Sequence, residues 1–392
     1  MAISNFTVEV TPLKSATEYS NAIDITDFVQ DGGIGKISQS IDSGDYDIGL
    51  YTYADLNLTL INYDGRFNDE RDSASIFFYT RDRAKINITY NNEAGTQTLV
   101  FKGIINDEAT RQDIENGTIR IKVLSQDSIL RKTKVAGGVL NNSTLISAAI
   151  KTLLNRPAIT SVLGYDASKI TVGTDQTIDD VTSFTEKDTR FVLDKLLNAS
   201  GSVFSIDSSN DMVVSDRDVK AGSALELYGG GDFLGRDNII SLKKYNDGLH
   251  RTFNTVTVND TTADDSNFID RYGARIKNLD FDFITNSSTA SAIATYLLGQ
   301  FKAPKAELEI TVPVDVAKSV EALDPVTVEY VKQYAKWLGV NRVPVAGVAV
   351  AGTDIAPYTA GGFTISSGRS WKVTGIIHDP KKFETTLRLR EV

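Results

Sequence analysis

The sequence predicts a mainly β protein, with two β-barrel-like domains around a small α/β insert, and three observations predict it. Apolar and polar residues alternate at period two over much of the chain. Clusters rich in Asn, Asp and Gly separate those runs. Only three segments change to helical spacing. A length of 392 residues suggests two or three domains, and a hydrophobic content of 41% supplies sizeable cores.

The strands come first in order. Leu56, Leu58 and Leu60 alternate with Asn57 and Thr59, and Ile86, Ile88 and Tyr90 with Asn87 and Thr89. Ile119, Ile121 and Val123 alternate with Arg120 and Lys122. The pattern returns in Leu308-Ile310-Val312, Val326-Val328-Tyr330 and Leu387-Leu389. Each run puts one face on a core and the other on water or a partner. Asn91-Asn92-Glu93-Ala94-Gly95 and Glu115-Asn116-Gly117 read as turns between strands, a pattern of antiparallel barrels or sandwiches.

Ile146, Ala149, Ile150, Leu153 and Leu154 predict the first helix, with Ser143 or Thr144 as N-cap and Pro157 beyond its end. Val192, Leu193, Leu196 and Ala199 predict the second, with Thr185 near its start and Gly201 as the C-terminal stop. Ala290, Ile293, Ala294, Leu297, Leu298 and Phe301 predict the third, near 289–301, capped by Ser287 or Ser288 and followed by Pro304. A hairpin of 202–206 and 212–214 follows the second helix. The expected division is an N-terminal β-barrel domain at 1–132, an α/β insert at 133–218, and a second β-rich barrel domain at 219–392 carrying the third helix. Gly137-Gly138 and Gly229-Gly230-Gly231 are candidate hinges.

Chemistry is mostly excluded. With no cysteine there are no disulfides, thiolates or zinc–sulfur sites, which suits assembly in a reducing cytoplasm. His250 and His378 lie far apart, neither has a partner at ligand spacing, and both read as ordinary, partly exposed residues. No Gly-x-Ser-x-Gly elbow and no P-loop occur. The residue types therefore point to no catalytic, cofactor-binding or metal residue, and to no cofactor. Asp64, Asp69, Glu70 and Asp72 read as a solvated loop or as ion pairs with Arg66 and Arg71, although a carboxylate pair drawn from separate strands stays open. Asp207-Ser208-Ser209-Asn210-Asp211 lacks the glycine and distal glutamate of a calcium loop and reads as a tight turn. The 15 Tyr and 17 Phe are spread along strands rather than gathered into a stacking platform. A net charge of −10, with 51 acidic against 41 basic residues, gives no phosphate-neutralising run. The first residues show no secretion signal, and no apolar run is long enough for a stable membrane insertion.

The most specific stretch is 56–60 followed by Ile61-Asn62-Tyr63-Asp64-Gly65-Arg66-Phe67. Asp64-Gly65 makes a tight turn if Gly65 takes a positive φ, Arg66 is placed to pair with a loop carboxylate, and Phe67 returns the chain to the core. We therefore read Asp64, Gly65, Arg66 and Phe67 as a structural turn motif. The stretch resembles the L-x-L-x-N-x-D-G-R-F strand and turn of the baseplate hub and tail-tip hub proteins of long-tailed bacteriophages, the late control protein D-like group. Further features keep the order of that family: Phe101-Lys102-Gly103-Ile104-Ile105, the strand ending in Ser125-Gln126-Asp127, and Gly201-Ser202-Val203-Phe204-Ser205-Ile206. Arg271-Tyr272-Gly273 ahead of the third helix continues it, as do Asp324-Pro325-Val326-Thr327-Val328, Trp371–376 and the final 387–392.

The resemblance implies a homotrimer whose barrels form a pseudo-sixfold ring joining the tail tube to the tip or spike. It implies the distal tail or tail tube protein, the tape measure protein and tip, spike or fibre proteins as partners. DNA would pass through the lumen without specific binding, which an acidic chain suits. The expected location is the tail tip of the virion, after assembly in the bacterial host cytoplasm. Many relatives carry an appended lysozyme, peptidase or receptor-binding domain; this chain ends with the barrels, so no such activity and no enzyme is expected. The rival readings are a tail-associated carbohydrate- or peptidoglycan-degrading enzyme, and a spike-hub component of a secretion or contractile injection system.

Overall fold

A computed structural model describes residues 5–15, 18–41, 48–68, 75–77, 80–92, 97–218, 220–230, 236–333, 362–366 and 368–392. The architecture is mainly β, with curled sheets. Asp69, Glu70, Arg71, Asp72, the 93–95 part of the first turn cluster and Gly231 lie outside the described residues.

The first sheet has seven strands in the order Ile23–Asp24, Phe6–Thr11, Lys85–Asn91, Gln97–Asp113, Thr118–Ser125, Leu56–Ile61 and Val29–Ile34. Every neighbouring pair is antiparallel. The two edge strands are consecutive in the chain, joined by the short 3-10 helix Thr26–Phe28, so the sheet curls until its edges lie one helical turn apart. The period-two pattern explains its core. Phe6, Val8 and Val10 share one buried cluster with Leu56, Leu58 and Leu60, Ile86 and Ile88, and Ile119, Ile121 and Val123. Their polar alternates, such as Asn57 and Arg120, face out.

The second sheet crosses all three sequence segments. Its main path runs Gly164–Ile170, Asp211–Asp216, Ser202–Ile206, Gly49–Tyr53, Ile37–Ile41, Ser370–Asp379, Glu384–Glu391, Glu307–Pro313 and Ser241–Asn246. Ile37–Ile41 and Gly49–Tyr53 thus leave the first sheet: one pairs with Ser370–Asp379 and the other with Ser202–Ile206. Not all pairing is antiparallel, as the turn-rich sequence suggested. Gly49–Tyr53 with Ser202–Ile206, and Leu225–Gly229 with Pro325–Gln333, run parallel because each pair is connected through a long crossover rather than a tight turn. Gly229 and Gly230 are packed there rather than free to hinge, since a Cβ on Gly230 would lie 2.0 Å from the backbone oxygen of Val331.

The three helices form where the apolar spacing puts them: Ile146–Leu154, Thr189–Ser200 and Ser287–Phe301. Their apolar faces meet in one core, so the helix expected on the C-terminal barrel shares a cluster with those of the insert. The caps differ from expectation. Asp175, from a distant loop, accepts from the Ser147 amide at 2.9 Å and its hydroxyl at 2.6 Å, while neither Ser143 nor Thr144 caps the first helix. Asp188, three residues beyond Thr185, caps the second helix, and Asn286 the third in place of Ser287 or Ser288. In each case a carbonyl-bearing side chain at the last non-helical residue, or one brought in by tertiary folding, out-competes the neighbouring hydroxyl. Gly201 closes the second helix at φ 64, as its position suggested.

Candidate functional site

The Asp-Gly turn leaves strand Leu56–Ile61, and Asn62 organises it. The Asn62 amide donates to the carbonyl of Gly117 at 2.7 Å, tying the turn to the neighbouring hairpin. Its side-chain oxygen accepts from the Phe67 amide at 2.9 Å, and its side-chain nitrogen donates to Asn68 Oδ1 at 2.7 Å. Gly65 takes φ 75, a conformation that disfavours any Cβ. Arg66 reaches back to Asp64, its Nε 2.7 Å from Oδ2, and this bond holds the Asp64 carboxyl below its usual range. The Arg66 guanidinium also lies 4.0 Å from the Phe28 ring centroid. Phe67 is fully buried against Phe28, with ring centroids 5.6 Å apart, and its carbonyl accepts from Arg81 at 2.9 Å. Asp64, Gly65, Arg66 and Phe67 are thus brought together. Asn62, which the residue pattern did not single out, holds them.

A second site lies where the three segments meet. A cleft of about 290 Å³ is walled by Gln39 and Tyr53, by Leu99 and Val100, by Ile206, and by Glu321 and His378. Glu321 stitches it, accepting from the Ser208 amide at 2.8 Å and from Lys220 Nζ at 3.0 Å. Burial, with the negative charge of Glu321 nearby, pushes the Tyr53 hydroxyl well above its usual range. His378 is only 5% exposed, contrary to the reading of an ordinary surface histidine, because its strand pairs on both sides, with Ile37–Ile41 and with Glu384–Glu391. Its Nδ1 is 2.8 Å from the Thr385 hydroxyl, and burial lowers its pKa to about 4, so it is neutral at pH 7. Thr385 is itself fully buried, so the pair is a packing contact and not an accessible nucleophile with its base. His250 is exposed.

Other titratable groups serve the scaffold. Asp127, raised by burial, pairs with Arg190 at 3.3 Å, and Asp324, also raised by burial, lies 3.5 Å from Lys220. Asp207 and Asp211 both bind Lys169, at 2.7 and 2.6 Å, and bracket a tight turn with Asn210 at φ 70, as expected. Arg217, Lys372 and Arg390 are buried, which strand alternation hid because charged positions were assigned to the outer face. Lys372 stands opposite Arg390 across two strands and donates to the carbonyl of Arg217, joining the end of the insert to the C-terminal sheet. Among the described residues, no group of three or more His, Asp or Glu residues is arranged to hold a metal ion, and no helix is long and apolar enough to cross a membrane.

No protein-family profile and no curated protein matches the sequence. Solved structures do match its fold. A tail protein from Neisseria meningitidis MC58 aligns over 99% of this chain and 96% of its own, with TM-score 0.57 and 12% identity. The prophage tail protein gp18 from Listeria monocytogenes EGD-e aligns over 98% and 94%, with TM-score 0.51 and 10% identity. The 43 kDa tail protein of prophage MuSo2 from Shewanella oneidensis aligns over 99% and 97%, with TM-score 0.50 and 15% identity. From its first sheet to its last strand, this chain has the fold of phage tail proteins.

Proposed function

We propose that the chain is the structural hub of a distal phage tail, at the baseplate or tail tip, acting by assembly and not by catalysis. The observation that carries this reading is the span of the likeness: 99% of this chain aligned with 96% of a tail protein, leaving no large part of either unmatched. Three copies would close a ring between the tail tube and the tip or spike, in contact with distal tail or tube proteins, the tape measure protein and tip or fibre proteins. Its place would be the virion tail, after assembly in the host cytoplasm. The division into barrel, insert and barrel serves this role by giving each subunit two barrel-like units, so that three subunits present six to a sixfold tube. The Asp64–Phe67 turn is scaffold in this reading, because its polar groups are satisfied within the turn and its phenylalanine is buried.

The test is the assembly state. Light scattering of the purified protein is expected to give a trimer, and imaged particles a threefold ring with a central opening. A monomer at high concentration, with no threefold density in tails, rejects the hub. A lumen that releases DNA must also lack a phosphate-binding wall, which the net charge of −10 favours. Duplex DNA titrated into the assembled protein at low salt is expected to show no salt-sensitive binding at about micromolar concentration. Such binding would place a basic surface in the channel and overturn free passage.

A further inference from the structure

Two strand edges are open among the described residues. Strand Gln97–Asp113 runs 17 residues, but its pairing with Lys85–Asn91 ends at Ile104. Beyond that point the strand passes through a register shift, and residues 111–113 pair on one side only, with Thr118–Ser125. Strand Ser241–Asn246 ends the large sheet and pairs only with Glu307–Pro313. An open edge displays unpaired N–H and C=O groups, and another strand is what satisfies them.

The two edges are opposite in charge and alike in exposed apolar surface. The hairpin exposes the carboxylates of Glu108 and Glu115, while Asp113 accepts from the Asn116 amide and side chain at 3.1 and 2.7 Å, and Arg111 is folded back onto the carbonyls of Glu108 and Thr110 at 3.1 and 3.0 Å. Its tip exposes Ile114 at 85%, beside Tyr63 at 80%, whose ring lies against Gly117. The edge strand exposes Lys244, while Lys243 donates from Nζ to the Thr386 hydroxyl at 3.0 Å; Ile240 at 52% and Tyr245 at 40% flank them. Because the edges belong to different sheets, a hairpin can add to the edge strand of another copy without displacing a strand of its own.

We propose that the hairpin of residues 108–118 in one copy docks along strand Ser241–Asn246 of the next. Glu115 faces Lys244, with Glu108 adding negative charge along the same hairpin, and Ile114 and Tyr63 cover Ile240 and Tyr245. The occupant is a second copy because one chain carries both halves of a complementary pair. The contact is head-to-tail, the kind that closes a ring when its rotation returns to the start. It rests on the ring assembly proposed above and supplies its surface.

Charge reversal tests it. K244E is expected to weaken assembly by roughly tenfold, and adding E115K in the same chain is expected to restore it. Melting curves confirm that each variant folds. Hydrogen exchange on the wild type needs no variant: amides of 111–113 and 241–246 should slow when the subunits assemble. A wild-type ring unaffected by the reversal, or with unchanged exchange at both edges, overturns this contact while leaving the hub intact. A wild-type monomer at high concentration overturns both.

Discussion

Replacing Phe67 with alanine is expected to cost about 3–5 kcal/mol of folding stability, a large share of what holds a domain together. The side chain is fully buried, packs edge-on against Phe28 and belongs to the cluster that fills the first curled sheet. Its backbone is pinned from both sides, the amide by Asn62 and the carbonyl by Arg81, so the vacated space cannot collapse by moving the turn. Gly65→Val is expected to cost about 1–3 kcal/mol, since a β-branched residue is strained at φ 75. Denaturant melting of both variants is the check. Wild-type stability combined with lost assembly would instead make the turn a docking loop.

The second large effect is loss of stability in acid through His378. Its folded pKa of about 4 lies below the ordinary 6.5, so between those values the unfolded chain binds the extra proton. Stability is therefore complete above about pH 6.5, falls as the pH drops toward 4, and changes no further below that on account of this group. The full span amounts to about 3 kcal/mol. Asp127 and Asp324, whose carboxyls are raised by burial, push the opposite way at the acid end, so the wild-type curve mixes the effects. His378→Gln removes one of them. Denaturant midpoints from pH 7.5 to 4 should fall more steeply in the wild type than in the variant, and parallel curves would rule the effect out.

Local signals were legible in the sequence. Alternation placed the strands around Leu58, Ile88 and Ile121, and helical spacing placed three helices, because burial against one face acts on neighbouring residues and leaves its period in the chain. The turn was legible for the same reason: Asp64, Gly65 and Arg66 interact within three positions. Partners distant in sequence were not legible. Nothing near Ser147 announces Asp175 as its cap, and nothing near His378 announces strand Ile37–Ile41. The cleft draws on residues from Ile37 to His378, so no single stretch carries its pattern. Buried Arg217, Lys372 and Arg390 break the rule that charges face water, and only tertiary packing reveals where such exceptions fall.

The strand Ile37–Ile41 leaves the ribosome well before its neighbour in the sheet, Ser370–Asp379. With about 330 residues between them, synthesis alone imposes a wait of roughly 15–65 s before that pairing can form. The first curled sheet has all its strands within the first 125 residues and can close during that time. The shared sheet cannot. Translation thus orders the maturation of the subunit: an early barrel, then an interval in which Gly49–Tyr53 can meet Ser202–Ile206 while the other side of the hairpin stays open, and later a closing step in which Ser370–Asp379 covers Ile37–Ile41.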